Sequence, residues 1–434
     1  MKLNIFRAFR SRNYCLYFSG QSVSLIGTWM QRTAIYWLIY TQTNSTFMLG
    51  LAAFASQFPS FVFSPLGGVI SDRYNRYRVT IITQIASMIQ ASLLAILVIF
   101  TSYTVWEILT LSIVLGIINA FDVPARQSMV NEMVNRKEDL PNAIALNSSM
   151  GKLAWLIGPA LSGIVLEKAG AGTCFMINAI SYVAVITSLL LIKFPAYIPH
   201  PNSQKVLTEF KEGFVYLKKT PSIGIIILML GCVSLLVFPF NTLLPVYAKV
   251  IFNGNASTFG YLNSFIGLGA LIGAIFLASL KSDIHLYKIL IIDLFIFGGA
   301  LIFFSHMTNL TVALFFAMLA GFAMMSQTTI CNTIIQTKAS GKMRGRVISY
   351  FAMAFFGMQP LGALLIGFVS QYAGAPDTIL GEGVAAVLIA AIFLPYFRKE
   401  TRAKSQDFRE KSQEQRTKTL EPRTKSQDFR TKIK

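Results

Sequence analysis

Acidic residues and histidines are scarce: 19 Asp and Glu and 3 His in a chain of 434. Charged residues of both signs make up only 13%, against about 25% in a soluble domain. A protein with so few charges cannot cover itself with a water-facing surface, so most of its surface is expected to face lipid. The 4 cysteines, Cys15, Cys174, Cys232 and Cys331, stand singly inside apolar segments. With no CxxC and no Cys/His cluster they read as small core residues, and neither a metal nor a cofactor is expected. No GxxxxGK[ST] loop occurs, which excludes direct use of ATP. No clustered His, Asp or Ser forms a nucleophile–base set, so an integral membrane enzyme is the weakest alternative reading. A cleavable signal peptide is also missing: the apolar run after the basic segment Met1 to Arg12 is too long for one, and it reads as an uncleaved first span.

What is present is long charge-free sequence. Thr33 to Ser71 contains no Asp, Glu, Lys or Arg, and neither does Val79 to Trp106. A run of about 18 or more apolar residues reads as a membrane-spanning helix. Charge-free runs and turn residues predict twelve spans, near 14–40, 46–71, 79–101, 105–128, 140–166, 171–192, 221–248, 258–280, 286–305, 310–335, 346–371 and 377–397. Asp122, Pro124 and Arg126 interrupt the end of the fourth.

The net charge of +19 sits in alternate turns and in the tail, where 13 of the 38 Lys and Arg follow Phe397. One set of turns holds Arg7, Arg10 and Arg12, then Arg73, Arg76 and Arg78, then Arg136 and Lys137, Lys193 to Lys219, Lys281 and Lys288, and Lys338 to Arg346. The other set holds only Lys168 and Lys249. This is the positive-inside pattern, so the expected placement is multi-pass in a membrane, among membrane lipids, with both termini cytoplasmic. It argues against nucleic acid as a partner.

The longest connection, Phe194 to Pro221, carries Val206 to Lys219, whose alternation of apolar and charged residues fits an amphipathic helix on the inner membrane surface. It divides the chain into residues 1–193, a six-helix bundle; 194–220, the linker; 221–397, a second six-helix bundle; and 398–434, a basic cytoplasmic tail. The tail repeats Lys404 to Arg409 as Lys425 to Arg430 and reads as disordered. Ser71-Asp72 and Ser282-Asp283, and Pro159 and Pro360, echo between the halves, as in transporters built from parallel repeats. The fold class is thus an all-α membrane protein of twelve transmembrane helices in two pseudo-symmetric six-helix bundles.

Between the second and third spans, Gly68, Asp72, Arg73 and Arg76 follow the pattern Gly, three residues, Asp-Arg, one residue, Gly-Arg-Arg/Lys. Asn75 replaces the second Gly, a change that Asn's tolerance of left-handed backbone would accommodate. This stretch resembles the signature of the major facilitator superfamily. Phe121 to Gln127, Asn142 to Ser148, Gly158 to Gly163, Cys174 to Tyr182 and Arg344 to Ser349 look like the efflux branch that includes the enterobactin exporter and macrolide exporters. The resemblance covers Phe9 to Phe397. It implies the major facilitator fold and a secondary transporter exporting a drug-like or siderophore-like amphiphile by alternating access, with proton coupling. It further implies a monomer in a bacterial cell (inner) membrane whose partners are a small-molecule substrate, protons and membrane lipids. The alternatives of the same fold are an uptake symporter and a lysophospholipid flippase.

The resemblance also implies a latch on the inner gate. Asp72 would meet the helix N-terminus of the eleventh span and Arg76 would meet Asp122, with Gly68, Arg73 and Arg126 beside them. Gly158, Pro159 and Gly163 partly match the antiporter signature of the fifth span, where Ala154 and Ser162 replace usual glycines. Gly158-Pro159 permits a bend there, and Pro239 and Pro245 are expected to break the seventh span. Ionisable residues inside spans are costly and are functional candidates. Arg32, beside Gln31, and Lys152 are candidates for substrate or coupling; Asp122 and Asp293 are candidate proton carriers. For Arg32 the open alternative is snorkelling to the headgroups.

Overall fold

The computed structural model describes residues 6–192, 206–280, 286–341 and 343–400, and of Asp72 and residues 206–210 only the backbone. The first part of the linker and the repeated tail lie outside the described residues. Every regular element among the described residues is a helix.

The helices are α1 (Arg12–Thr43), α2 (Thr46–Arg73), α3 (Arg76–Phe100), α4 (Val105–Met133), α5 (Leu140–Leu190) and α6 (Val206–Lys219). They continue with α7 (Pro221–Leu236), α8 (Ala256–Ser279), α9 (Leu286–Ser305), α10 (Leu310–Lys338), α11 (Arg344–Ala373) and α12 (Ala375–Glu400). Among the described residues, 10 helices are long and apolar enough to cross a membrane. The expected count was twelve. The difference has two sources. α5 runs unbroken by hydrogen-bonding criteria for 51 residues, turning at Gly170 (φ 79°, ψ 174°), where a left-handed backbone favours glycine. α1, 32 residues long, is not among the ten.

α3 shows why these helices suit lipid. Its outward stripe is Ile82, Ile85, Ile89, Leu93, Ile96 and Phe100, while Thr80, Thr83, Gln84, Ser87 and Gln90 are buried. In water the pattern would be reversed; in hydrocarbon the backbone is satisfied within the helix and polar side chains find partners only inward. Three hydrophobic clusters follow the halves of the chain. Two lie in residues up to 192, joined by Ala256, and the third lies in residues from 217 onward, joined by Tyr40 and Leu49.

α7 stops at Leu236 and passes into a 3-10 turn, Phe238–Leu243, then Leu244–Val246 and a π turn, Tyr247–Ile251. Pro239 and Pro245 stand in this irregular stretch, where each removes a backbone donor. α6 packs on the second half through an ion pair between Glu212 and Arg346, and its Tyr216 hydroxyl accepts from the Ser340 N–H at 3.2 Å.

The two ends of the molecule differ. The basic end carries the turn Arg73 to Arg78; the lean end carries Asn44, Gly170 and Gly254. Near the lean end the halves touch backbone to backbone. A methyl built on Gly163 would stand 2.9 Å from Ser257 Cα, and one on Gly367 would stand 2.9 Å from Gly50 Cα. Thr46 Oγ1 donates to the Gly367 carbonyl at 3.0 Å, Lys249 Nζ donates to Asn44 at 2.9 Å, and Trp37 stacks on Phe259 at 6.0 Å. Toward the basic end the same stripes part. On α5, Gly163, Pro159 and Leu156 meet α8, yet Ser149 and Ala145, which continue that face at helical spacing, are exposed. On α2, Phe61 meets Gly357, Ser64 and Pro65 are exposed, and a methyl on Gly68 would meet nothing within 4 Å. The halves thus form a wedge closed at the lean end and open at the basic end.

Candidate functional site

At the head of the wedge a cavity of about 140 Å³ opens between α1, α2 and α4, lined by Thr28, Gln31, Arg32, Gln57, Ser112 and Asn119 among others. Gln57 and Asn119 bring carboxamides, and no Asp or Glu lines it. Arg32 faces it. Its guanidinium carbon lies 5.3 Å from the Trp29 ring centroid and 5.8 Å from that of Tyr36. Both rings attract the cation through their quadrupoles. Among the described residues no carboxylate lies within 4.0 Å of Arg32, so its charge is held by aromatic faces and remains available to an anion.

Trp29 stacks on Trp155 of α5 at 5.4 Å with 9° between the rings. The pair forms because Gly158 has no side chain: a methyl there would stand 2.5 Å from Trp29 Cβ. Lys152 lies one turn from Trp155 toward the basic end, half-buried, on the α5 face that opens into the wedge. α1 and α5 run the same way, so along the wedge the order is Lys152, the tryptophan pair, then Arg32. At about 1.5 Å per residue, each cation lies roughly 4.5 Å along the axis from the ring pair. The arrangement can hold a flat apolar group between two positive charges.

Gln31, 1% exposed, is occupied differently. Its Nε2 donates to Gln90 at 3.0 Å and its Oε1 accepts from Asn178 at 2.8 Å; Gln90 donates on to the Leu111 carbonyl at 3.0 Å. This relay ties α1, α3, α4 and the second part of α5 together beneath the cavity. Fully satisfied buried amides of this kind rigidify a bundle.

Asp122 is also satisfied. Oδ1 accepts from Thr83 at 2.9 Å and Gln84 at 2.8 Å, and Oδ2 takes Arg126 at 3.0 Å, one turn away on α4. Arg126 in turn lies against Tyr17. The expected pairing of Arg76 with Asp122 gives way to another: Arg76 donates to Glu132 at 3.0 Å, farther along α4, and to the Ser71 carbonyl at 3.3 Å. The reason is local, since Arg126 already neutralises Asp122 from its own helix. Arg73 is exposed, and the Asp72 side chain lies outside the described residues. Asn75 has no left-handed backbone; at φ −62° it caps α3, accepting from Tyr77 N at 3.0 Å and Arg78 N at 3.4 Å. A residue chosen for its capping carboxamide explains why the usual glycine is not needed here.

Pro159 and Gly163 serve the closed part of the wedge. Pro159 lies within the regular hydrogen bonding of α5, and its carbonyl faces Gly260 of α8, where a methyl would stand 2.5 Å from it. Asp293 on α9 is 2% exposed, away from the cavity, and its Oδ2 has no hydrogen-bond partner among the described residues. A second acid shares these properties and went unnoticed in the sequence: Glu382 of α12, 2% exposed, with neither carboxyl oxygen partnered among the described residues. The signal was present, because Glu382 alone breaks an otherwise charge-free run from Thr378 to Phe397.

Helices dressed for lipid, two halves meeting at one end and a polar cavity within the first half that carries the Arg32 guanidinium fit a membrane transporter. The chain belongs to the family described as Transmembrane secretion effector, whose model matches residues 5–425, within the major facilitator superfamily. It is similar to the Staphyloferrin A transporter of Staphylococcus aureus (strain NCTC 8325 / PS 47), 25% identical over 88% of this chain and 96% of that protein. It is also similar to Macrolide efflux protein A of Streptococcus pyogenes (21%, covering 86% and 93%) and to Enterobactin exporter EntS of Escherichia coli O1:K1 / APEC (23%, covering 87% and 90%). In fold it resembles the crystal structure of a bacterial homolog to the human lysosomal transporter Spinster in its inward-facing, unoccupied conformation. That match has a TM-score of 0.68 at 14% identity and covers 92% and 98% of the two chains. The protein is therefore an efflux-type transporter and not an enzyme.

Proposed function

We propose that this transporter exports an anionic, partly aromatic small molecule of siderophore or drug type, by alternating access and at the expense of a proton gradient. Twelve crossings follow if α1 is counted and α5 is divided at Gly170. With the basic end on the cytoplasmic side, as the charge asymmetry favours, the wedge is an inward-open state. Substrate enters past Lys152, meets the tryptophan pair, and places its anion on Arg32. Rocking of one half against the other then closes the basic end and opens the lean end.

In the closed-inside state Asp72 would reach the N-terminus of α11, where unpaired N–H groups favour a carboxylate. Gly68 leaves that approach unobstructed, and Arg76 braces the turn against Glu132. Export from such a site needs no covalent step. It needs two states that expose the site to opposite sides and a proton gradient that biases the cycle outward.

The observation that carries the reading is the open wedge ending on an unpaired guanidinium, with no acid lining the cavity. Its test is transport into inside-out proteoliposomes with an imposed pH gradient, using staphyloferrin A, enterobactin and a macrolide as probes. Accumulation of an anionic probe that collapses when the gradient is dissipated is the expected result. Accumulation of the macrolide alone would refute the anionic site, and probe movement only in the opposite direction would refute export.

A further inference from the structure

We propose that Glu382 is a proton-binding site of the second half, entered from the lean end past Asp377, His306, Ser305 and Tyr247. This deepens the proton-coupled reading above by placing the proton away from the central cavity.

Glu382 lies in the second turn of α12, about 10 Å below the helix start at 1.5 Å per residue. It is 2% exposed and neither carboxyl oxygen has a hydrogen-bond partner among the described residues. The seam around it is tight: a methyl on Gly383 would stand 2.9 Å from the Gly298 carbonyl of α9, and one on Gly298 would stand 2.7 Å from the Gly383 carbonyl. An ionised carboxylate without donors is unfavourable in such a place, whereas a neutral acid is tolerated. Proton occupancy at Glu382 is thereby tied to the packing of α9 against α12.

A polar track leads to it. Asp377 and His306 are on the surface, with 66% and 59% of their side chains exposed, and His306 Nε2 lies 3.4 Å from Asp377 Oδ1. His306 Nδ1 lies 2.9 Å from Ser305 Oγ, and the Ser305 carbonyl accepts from the Tyr247 hydroxyl at 2.7 Å. Tyr247 lies near enough to both Glu382 and Asp377 to feel their charges.

The other titratable groups on the surrounding elements are turned elsewhere. Asp293 lies toward the basic end beside Cys331, Tyr287 and Lys288 stand at the start of α9, and Lys249 turns to Asn44 and Tyr40 of the first half. The step is proton exchange with water at the lean end and needs no co-reactant.

The test uses the full chain in nanodiscs. Infrared difference spectra between low and high pH are expected to show a carboxylic-acid C=O band that is lost in Glu382→Gln, kept in Asp293→Asn and restored in Glu382→Asp. Hydrogen–deuterium exchange of that band is expected to slow in His306→Ala. A Glu382→Gln spectrum identical to wild type would overturn the site, and unchanged exchange in His306→Ala would overturn the entry route.

In proteoliposomes with enterobactin and staphyloferrin A as probes, Glu382→Gln should lose gradient-driven accumulation while keeping downhill counterflow. A wild type indifferent to the gradient would overturn coupling itself, and the infrared result would still decide whether Glu382 binds a proton. Gradient-driven accumulation that persists in Glu382→Gln would overturn Glu382 alone.

Discussion

A wedge closed by glycines can be forced open by adding one methyl. At Gly367 the added carbon would stand 2.7 Å from the Thr46 carbonyl oxygen and 2.9 Å from Gly50 Cα. Real Cβ atoms do not approach backbone so closely, so α2 and α11 must part by several tenths of an ångström. The site is rigid on both sides, because backbone rather than a flexible side chain faces the methyl. Overpacking of this kind costs about 1–3 kcal/mol. The penalty falls only on the state in which the lean end is closed, so it shifts the conformational equilibrium by roughly 5–150-fold, the range that 1–3 kcal/mol of coupling produces. Gly367→Ala should therefore populate the state closed at the basic end.

The assay is thiol labelling of Ser149→Cys, an exposed position on the α5 face of the wedge, in a background where the 4 native cysteines are replaced. Labelling of Ser149→Cys should slow by about the population shift when Gly367→Ala is added, up to the roughly 5–150-fold range above. Gly163→Ala, which meets Ala256 and Ser257 on the other seam, should act in the same direction. A labelling rate that either substitution leaves unchanged, in a protein that remains folded, would refute the closed-gate reasoning.

Other outcomes follow from the cavity and its supports. Arg32→Gln removes the charge but keeps hydrogen bonding, and should weaken binding of an anionic probe by about 1.5–3 kcal/mol, the worth of a hydrogen bond to a charged group, read as a raised KM. A macrolide should be little affected. Asp122→Ala leaves Arg126 without its carboxylate, and thermal unfolding in detergent should show a loss of about 3–5 kcal/mol; Asp122→Asn should lose less because Thr83 and Gln84 keep an oxygen acceptor. Gln31→Ala strands Gln90 and Asn178, each buried, at about 1–3 kcal/mol per unsatisfied group, and should lower stability more than Arg32→Gln does. A Gln31→Ala protein as stable as wild type would refute the relay.

Much of this architecture was legible before any coordinates. Charge-free runs located the spans because the bilayer imposes a length and forbids unpaired charge, a constraint that acts on sequence directly. Arg32 and Lys152 stood out for the same reason. The sequence could not say which way they point. Arg32 was balanced between headgroup and cavity; in the structure Trp29 and Tyr36, one turn away on either side along α1, flank its guanidinium, and the side chain lines the cavity between α1, α2 and α4. In this structure Arg76 takes Glu132, while the Asp122 carboxylate is held by Arg126 of its own helix and by Thr83 and Gln84 of α3, a placement that sequence alone does not report. Asn75 was read through its backbone tolerance, whereas its side chain is what the turn uses. Glu382 was visible as the one charge in a long apolar run, but that no described residue donates to it is a fact of packing.

The amino-acid order, then, determined that this chain lives in a membrane, which end is basic and which family it joins. Each of these depends on transfer free energies or local patterns that a linear string records. Tertiary packing alone decided that the halves meet at the lean end and part at the basic end. That depends on backbone approaching backbone at glycines distant in the chain, Gly50 against Gly367 and Gly163 against Gly260, and no neighbour in the string reports such a contact.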